Sequence, residues 1–296
     1  MYTDHQPCLH RSGLRLPALA GSPGAPDPGR AQPRPTRSTS VPRLAVDRSQ
    51  EHVTLRLDAP DRRNALDLET MAALTVELRA ADADPQVRVV VLTGTDPAFC
   101  AGLDLAEVAS GRLDLVEVAR LDADPWQTLQ ELTTPTVAVV NGPAVTGGLE
   151  LVLCCDLAIA SEQARFADTH ARVGIHPSGG LSVLLPRYVG LRQALGMSLT
   201  GRFVAAGEAA TMGLVNAVVP HDQLAAATTE VVEAIAGTDA VVLGELLATY
   251  RALSGVPLEE ALRTERDRGR GLIVDTGAVE ARRQEVIQRG RRLTGE

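Results

Sequence analysis

The segment Thr136–Asn141 constrains the fold more than any other part of the chain. It is apolar and rich in β-branched residues, and it follows Thr134-Pro135, a pair that ends helices. These features predict a strand that is buried on both faces, as in a parallel sheet. Arg88–Thr93 and Leu157–Ala160 predict further short strands that alternate with helices. The sequence therefore predicts an α/β core.

The other elements are predicted from hydrophobic periodicity and from turn residues. They are strands over His52–Asp58 and Asn216–Val219, and helices over Asn64–Ala83, Leu113–Leu132 and Gly147–Cys155. Beyond residue 220 the composition changes to long helices rich in Ala, Leu, Glu and Arg, without a strand pattern. We therefore expect an α/β core over residues 44–220 and a helical section over residues 221–296.

Residues 1–43 differ from the rest of the chain in composition. They hold eight of the 18 prolines and only two acidic residues, Asp4 and Asp27, and they have no apolar periodicity. An acid-poor N-terminus with several arginines is also typical of organellar transit peptides, but so many prolines would prevent the amphipathic helix that such a peptide needs. We therefore expect a disordered tail.

Charge and residue usage exclude several classes of function. A formal net charge of −8 disfavours nucleic acid as a partner, and the sequence has no apolar run long enough for a transmembrane helix. All 29 basic residues are arginine, so Schiff-base lysines and lysine-dependent phosphate binding are excluded. The four cysteines form no Cys-x-x-Cys pair, which favours a reducing cytoplasm, and no residue cluster has the spacing of a metal site.

Two glycine-containing loops are the strongest candidates for a functional site. The first, Ala98–Leu105, follows a predicted strand, and its small residues let backbone N–H groups face a cleft. The second, Asn141–Glu150, leads from the buried strand into a helix, so the N–H groups near Gly147 lie at the positive end of a helix dipole. An oxyanion would be stabilised there.

Glu150 lies one helical turn after Gly147 and faces the same way. In an apolar cleft its carboxyl would have a raised pKa, which suits general acid–base catalysis. The alternative is that Glu150 is a first-turn residue that only complements the helix dipole.

Several spaced motifs together resemble the crotonase, or enoyl-CoA hydratase/isomerase, superfamily over residues 44–290. They are the two loops above, Arg63-Asn64-Ala65-Leu66, Cys155–Ala160, and Gly174–Pro177 followed by Gly179-Gly180. The resemblance implies a spiral of ββα repeats whose C-terminal helices form homotrimers or hexamers. It also implies an acyl-CoA thioester substrate, with coenzyme A as part of the substrate and no other cofactor.

The resemblance further implies a role for individual residues. The N–H groups of Leu103 and Gly147 would hold the thioester oxygen, each contributing roughly 3–4 kcal/mol in an enolate-like transition state. Arg63, Ala65 and Ala101, together with Leu103, occupy the positions that bind coenzyme A in relatives. Asp104 and Asp156 also match family positions, and we interpret both as braces of a loop and a turn.

Glu150 matches the first of the two catalytic glutamates of the family's hydratases, whereas the second position is occupied by His170. Hydration needs one group that accepts a proton and one that donates a proton, and histidine can do either near neutral pH. Asp168 would lie on the same side and orient the imidazole if this segment is extended. The alternative is that His170 only lines the acyl pocket.

Three hypotheses follow for the function of the chain. The leading one is an enoyl-CoA hydratase that adds water to a 2-enoyl-CoA, with Glu150 activating the water and His170 supplying the proton at the α-carbon. The first alternative keeps the fold and changes the reaction to double-bond isomerisation or another enolate-type lyase reaction. The second alternative is a non-catalytic acyl-CoA binding protein.

Overall fold

The computed structural model describes residues 43–49, 51–113, 124–271 and 276–294. Of the predicted N-terminal tail, only residue 43 falls within these ranges, so the tail lies outside the described residues. The same holds for residues 114–123, which form part of the helix predicted over Leu113–Leu132.

Nine strands form two sheets. In chain order they are β1 (Leu44–Arg48), β2 (His52–Leu57), β3 (Val89–Gly94), β4 (Thr136–Val140), β5 (Ala144–Val145), β6 (Leu157–Ser161), β7 (Arg165–Ala167), β8 (Val204–Ala205) and β9 (Ala217–Val219) in the described part of the chain. The larger sheet has the order β1-β2-β3-β4-β6-β9, and the smaller has the order β5-β7-β8. Only β1 runs antiparallel in the larger sheet, and only β8 in the smaller.

Helices alternate with the strands along the chain and continue after the last described strand, β9. They are α1 (Leu68–Asp82), α2 (Leu105–Ala109), α3 (Pro125–Glu131), α4 (Gly147–Cys154), α5 (His170–Val173), α6 (Leu181–Val189), α7 (Leu191–Thr200), α8 (Ala206–Thr211), α9 (Leu224–Ala236), α10 (Ala240–Leu253), α11 (Leu258–Gly271) and α12 (Thr276–Thr294) in the described ranges. None of the described helices is both long and apolar enough to cross a bilayer.

The central strands β3 and β4 are buried along their whole length, which confirms the prediction of a strand covered on both faces. Alternate residues of each strand enter two different apolar clusters. Val90 and Val140 belong to the larger cluster, which also includes residues of α1 and α4. Val91 and Val139 belong to the smaller one, which includes Leu224 of α9. The sheet is therefore covered by helices on each side.

The chain repeats one unit of strand, short strand and helix. The unit β4-β5-α4 is followed by β6-β7-α5, and the short strands β5 and β7 pair in parallel. Before them, β3 is followed by a single parallel bridge between Cys100 and Ala144 and then by α2. This succession agrees with the predicted ββα repeats. No strand follows β9 among the described residues, and the predicted boundaries at 43 and 220 remain predictions.

The predicted helix over Asn64–Ala83 is wrong at its beginning, because α1 starts only at Leu68. Asn64 lies in the left-handed region with φ 57°, a conformation that asparagine tolerates better than most residues. Its buried side chain accepts a hydrogen bond from Ala59 N (2.9 Å) and donates to Thr95 O (2.7 Å) and Ala98 O (2.6 Å). Asn64 therefore fixes a turn, and Asp67 caps α1 by accepting from Thr70 N at 2.8 Å.

The predicted helix over Leu113–Leu132 is also not continuous. Asp124 has extended backbone angles and caps α3, since its carboxylate accepts hydrogen bonds from Trp126 N (2.9 Å) and Gln127 N (3.0 Å). Pro125 occupies the first helical position, where its missing N–H costs nothing. The sequence signal for a helix start at Asp124-Pro125 therefore overrides the apolar periodicity on which the longer helix was predicted.

Asn64→Ala is expected to lower the free energy of unfolding by about 3 kcal/mol. Three backbone groups lose a hydrogen bond, although Ala98 O still accepts one from Asn141 at 3.2 Å, and alanine is strained at positive φ. Asn216→Ala is the matched control. Asn216 is exposed and accepts one bond, from Ala158 N at 2.8 Å, so its loss should be about 1 kcal/mol. Urea unfolding of the two variants measures the difference, and equal losses would contradict the role given to Asn64.

Candidate active site

A cavity of about 630 Å³ lies at the ends of β3 and β4, where the two glycine-containing loops and the start of α5 meet. The residues that line it include five of those singled out from the sequence, namely Ala101, Leu103, Gly147, Glu150 and His170. Trp126 and Thr146 also line it. The structure therefore brings both loops, Glu150 and His170 together in one site.

Leu103 is held by a short bridge to Leu66. Leu66 N donates to Gly102 O at 2.8 Å, and Asp104 N donates to Leu66 O at 2.9 Å. The N–H of Leu103, between these two bonds, has no hydrogen-bond acceptor within the described part of the chain. Asp104 braces the loop, as predicted, because it caps α2 and pairs with Arg62 at 2.7 Å.

Gly147 is the first residue of α4, so the helix itself provides no acceptor for its N–H. The preceding Thr146 has φ 54° and ψ −113°, a strained conformation for a β-branched residue. Two contacts hold it there: Thr146 N donates to Ala167 O at 2.9 Å, and its hydroxyl shares a 2.7 Å hydrogen bond with that of Thr169. The direction of the Gly147 peptide is therefore fixed by the fold.

The N–H groups of Leu103 and Gly147 are close neighbours. A Cβ added to Gly147 would lie 3.8 Å from Leu103 N, and a Cβ added to Gly102 would lie 3.2 Å from Gly147 N. The close approach of the two loops also requires glycine at position 148, because a Cβ there would lie only 2.2 Å from Cys100 O. Two amide donors that have no acceptor among the described residues therefore lie side by side at the cavity wall.

Glu150 is 3% exposed, and its two carboxylate oxygens have different surroundings. Oε1 accepts hydrogen bonds from Gly179 N (2.8 Å) and Leu181 N (3.3 Å), next to the beginning of α6. Oε2 lies 3.7 Å from Nε2 of His170. Burial raises the pKa of Glu150, although His170 and the two backbone N–H groups oppose the shift.

His170 is 6% exposed and lies between two carboxylates. Its Nδ1 is 2.7 Å from Asp168 Oδ1, the same oxygen that accepts from His170 N at 3.1 Å. Burial by itself would raise the pKa of Asp168, but hydrogen bonds from His170 and Ser198 outweigh burial, and the pKa lies below its ordinary value. The expected contact between Asp168 and the imidazole is present, but the segment is not extended, because Thr169 has φ −109° and ψ 11° and α5 begins at His170.

The residues predicted to bind coenzyme A lie at and beside the cavity. Ala101 and Leu103 line it, whereas Arg63 and Ala65 are not among its lining residues. Arg63 is exposed, and its carbonyl accepts from Ala101 N at 3.0 Å, which places the Arg63-Asn64-Ala65 turn next to the first loop. In the described part of the chain, no group of His, Cys, Asp and Glu residues could hold a metal ion.

Sequence reasoning missed two residues that shape the site. The indole N–H of Trp126, the chain's single tryptophan, donates to Gly147 O at 2.9 Å. At Gly179, besides the N–H bond to Glu150, a Cβ would lie 2.7 Å from Trp126 Cγ and 2.9 Å from Glu150 Cδ. The Gly179-Gly180 pair was visible in the sequence, but its contact with Glu150 spans 29 residues and required the tertiary structure.

The comparison with known families identifies the class of protein. The enoyl-CoA hydratase/isomerase family model matches residues 48–288. The chain therefore belongs to the enoyl-CoA hydratase/isomerase family, and the predicted crotonase fold is confirmed.

Individual relatives are similar over most of their length. Enoyl-CoA hydratase EchA19 of Mycobacterium tuberculosis is 31% identical over 250 residues, which cover 82% of this chain and 93% of the relative. The crystal structure of an enoyl-CoA hydratase from Bacillus anthracis has a TM-score of 0.76 at 30% identity, covering 83% of this chain and 96% of that one. The structure of an enoyl-CoA hydratase from Mycobacterium tuberculosis H37Rv has a TM-score of 0.66 at 43% identity, covering 75% and 95%.

The raised pKa of Glu150 predicts how Glu150→Gln changes stability with pH. Between the unfolded and the folded pKa of Glu150, the folded state binds more protons, so the stability of the wild type falls as pH rises through this window. The glutamine side chain of the variant would not titrate and would keep an acceptor for the N–H of Gly179. We therefore expect the stability of the variant relative to the wild type to increase with pH.

Urea unfolding of both proteins at several pH values above about 4.3, the ordinary pKa of glutamate, measures this difference. A difference that stays constant, or that shrinks as pH rises, would contradict the burial-raised pKa.

Proposed function

We propose that the chain is an enoyl-CoA hydratase, which adds water across the double bond of a 2-enoyl-CoA thioester. The observation that carries the proposal is the pairing of Glu150 Oε2 with His170 Nε2 at 3.7 Å in the cavity wall formed by Leu103 and Gly147. Relatives named enoyl-CoA hydratase support the same reaction.

The thioester oxygen would accept hydrogen bonds from the N–H groups of Leu103 and Gly147. Both donors lack an acceptor in the described part of the chain, and neither has to be released from another bond when substrate enters. Such preorganised donors stabilise the negative charge that develops on this oxygen. The side chain of Arg63 and the backbone of Ala65 and Ala101 would contact coenzyme A beside this loop.

Glu150 would act as the base. Its Oε1 is held by two backbone N–H groups, which leaves Oε2 to accept a proton from water. The water oxygen bonds to C3, and the electron pair of the double bond moves toward the thioester, whose oxygen becomes an enolate. The imidazolium of His170 then donates its Nε2 proton to C2 as the enolate returns to a thioester. Glu150 finally returns its proton to His170, so the sum is the addition of one water.

Double-bond isomerisation is the second candidate reaction. Two proton-transfer groups only 3.7 Å apart can also remove a proton at C2 of a 3-enoyl-CoA and deliver one at C4 without using water. The same pair of backbone donors would hold the enolate, so the two reactions differ only in whether water is admitted.

Glu150→Gln is expected to reduce kcat on 2-enoyl-CoA by at least about 10²-fold, and His170→Ala by at least about tenfold, because each removes an acid–base group. Hydration of 2-enoyl-CoA and isomerisation of 3-enoyl-CoA, over several chain lengths, are assayed side by side. The control is Glu208→Gln, an exposed glutamate on α8 that pairs with Arg202 at 2.8 Å, and it should keep full activity.

Turnover of 3-enoyl-CoA alone would replace the hydratase by an isomerase. Tight acyl-CoA binding by calorimetry without turnover of either substrate would overturn both reactions in favour of a binding protein.

We also propose that the C-terminal helices join copies of this chain into a homotrimer or hexamer. Large apolar side chains on α10, α11 and α12 are more than half exposed, which is unusual for a surface facing water. They are Val241, Val242, Tyr250, Leu258, Val279 and Val286. Burial of this surface between copies of the chain would explain why these helices carry large apolar side chains on an exposed face.

Light scattering of the purified protein should therefore give a mass of three or six chains. Leu258→Arg should reduce the mass, since a charge in a buried interface is costly. Val76→Arg, at an exposed position of α1, is the matched control and should not change it. A monomeric wild type, or a Leu258→Arg variant with unchanged mass, would contradict the proposed interface.

We propose the cytoplasm as the location. Cys100, Cys154 and Cys155 are free and buried, which is typical of a protein in a reducing compartment.

A further inference from the structure

The imidazole of His170 is enclosed by two buried carboxylates that have unequal roles. Asp168 contacts Nδ1 at 2.7 Å, a hydrogen-bond distance, whereas Glu150 lies 3.7 Å from Nε2, which is beyond hydrogen-bond distance. The side chains of His170, Glu150 and Asp168 are 7%, 4% and 2% exposed. Asp124 and His176 line the same cavity but form no ion pair with His170.

We infer that Asp168 is the positioning residue of the reaction, which acts through His170 by fixing its protonated nitrogen and by balancing its charge. The inference rests on the proposed function for its chemical meaning, because it assigns His170 as the proton donor. Asp168 itself is not among the residues that line the cavity.

The contact with Asp168 fixes the tautomer of His170. An ionised carboxylate only accepts hydrogen bonds, so the 2.7 Å contact requires the hydrogen on Nδ1 of His170. Nε2 is then the nitrogen that gains and loses the transferred proton, and it is the nitrogen that faces Glu150. Asp168 is itself fixed by hydrogen bonds from His170 N and from the side chain of Ser198. The imidazole therefore has one orientation and one reactive nitrogen.

Asp168 also balances the charge of the His170 imidazolium. Glu150 loses its negative charge in the step in which it takes a proton from water. From that moment until Nε2 gives up its proton, a buried imidazolium would have no counter-ion if Glu150 were its only partner, and an unpaired buried charge is costly. Asp168 keeps its charge throughout, because its lowered pKa disfavours protonation. Asp168 and His170 together therefore act as a neutral proton donor, which is equivalent in charge to a carboxylic acid.

Asp168→Asn should lower kcat at least about tenfold and leave KM within about twofold, because the residue contributes to the transition state rather than to binding. The pH above which kcat declines should move to lower pH, since the imidazolium loses its counter-charge. Asp82→Asn is the matched control. Asp82 is half-buried and accepts three hydrogen bonds from Thr133 and Thr134, so its loss should affect stability and leave kcat and the pH profile unchanged.

A double-mutant cycle tests whether Asp168 acts through His170. In the His170→Ala background, Asp168→Asn should change kcat by no more than about twofold, because the group that it positions is already absent. If the two losses multiply instead, Asp168 contributes independently of His170 and the inference is wrong.

The tautomer can be measured without any substrate, so that failure of the proposed function and failure of this inference are distinguishable. In protein labelled with ¹⁵N-histidine, the His170 signals, assigned by their loss in His170→Ala, should show a protonated Nδ1 in the wild type. Asp168→Ala should convert them to a mixture of tautomers. Unchanged signals would overturn the inference even in an active enzyme, and the expected change would support the positioning role even if neither enoyl-CoA is turned over.

Discussion

Close packing of two backbone loops is the constraint on which the rest of the site depends. β3 and β4 are parallel neighbours, so the loops that follow them leave the sheet at the same edge. They are joined by the bridge between Cys100 and Ala144 and by a 2.9 Å hydrogen bond from Val145 N to Cys100 O. Because Gly148 has no side chain, α4 begins in direct contact with the first loop. That contact sets the N–H of Gly147 beside that of Leu103.

The fold also determines how a buried carboxylate can stay reactive. Burial raises the pKa of Glu150, and the cost of burying its charge is offset by two N–H groups near the beginning of α6. Both bind the same oxygen. One oxygen of Glu150 therefore anchors the side chain, while the other remains directed toward His170. Thr146 directly precedes α4, the helix that carries Glu150, and its strained backbone is held by contacts with the neighbouring β7–α5 segment. The acid–base pair and the amide donors therefore depend on each other.

Several tertiary contacts overrode local sequence signals. The amphipathic pattern from Asn64 onward predicted a helix four residues too early, because Asn64 is held in a turn by backbone groups more than 30 residues away. At Asp124-Pro125 the decisive signal is local, because the capping carboxylate and the proline start a new helix within a segment whose apolar periodicity predicts a continuous one. Local patterns predict elements well where burial and capping agree, and they mislead where a side chain is used by a distant segment.

The sequence by itself determined the α/β class, the buried strand and the glycine turn that precedes α4. Its resemblance to the enoyl-CoA hydratase/isomerase superfamily also singled out Leu103, Gly147, Glu150 and His170. Period, turn residues and spacing are local properties, which is why they could be read along the chain. Only the tertiary structure decided which oxygen of Glu150 is free and that Gly179 holds the other. It also decided that the Asp168 carboxylate, proposed from spacing alone, meets Nδ1 of His170. These depend on distances between elements, which are set by packing against the sheet.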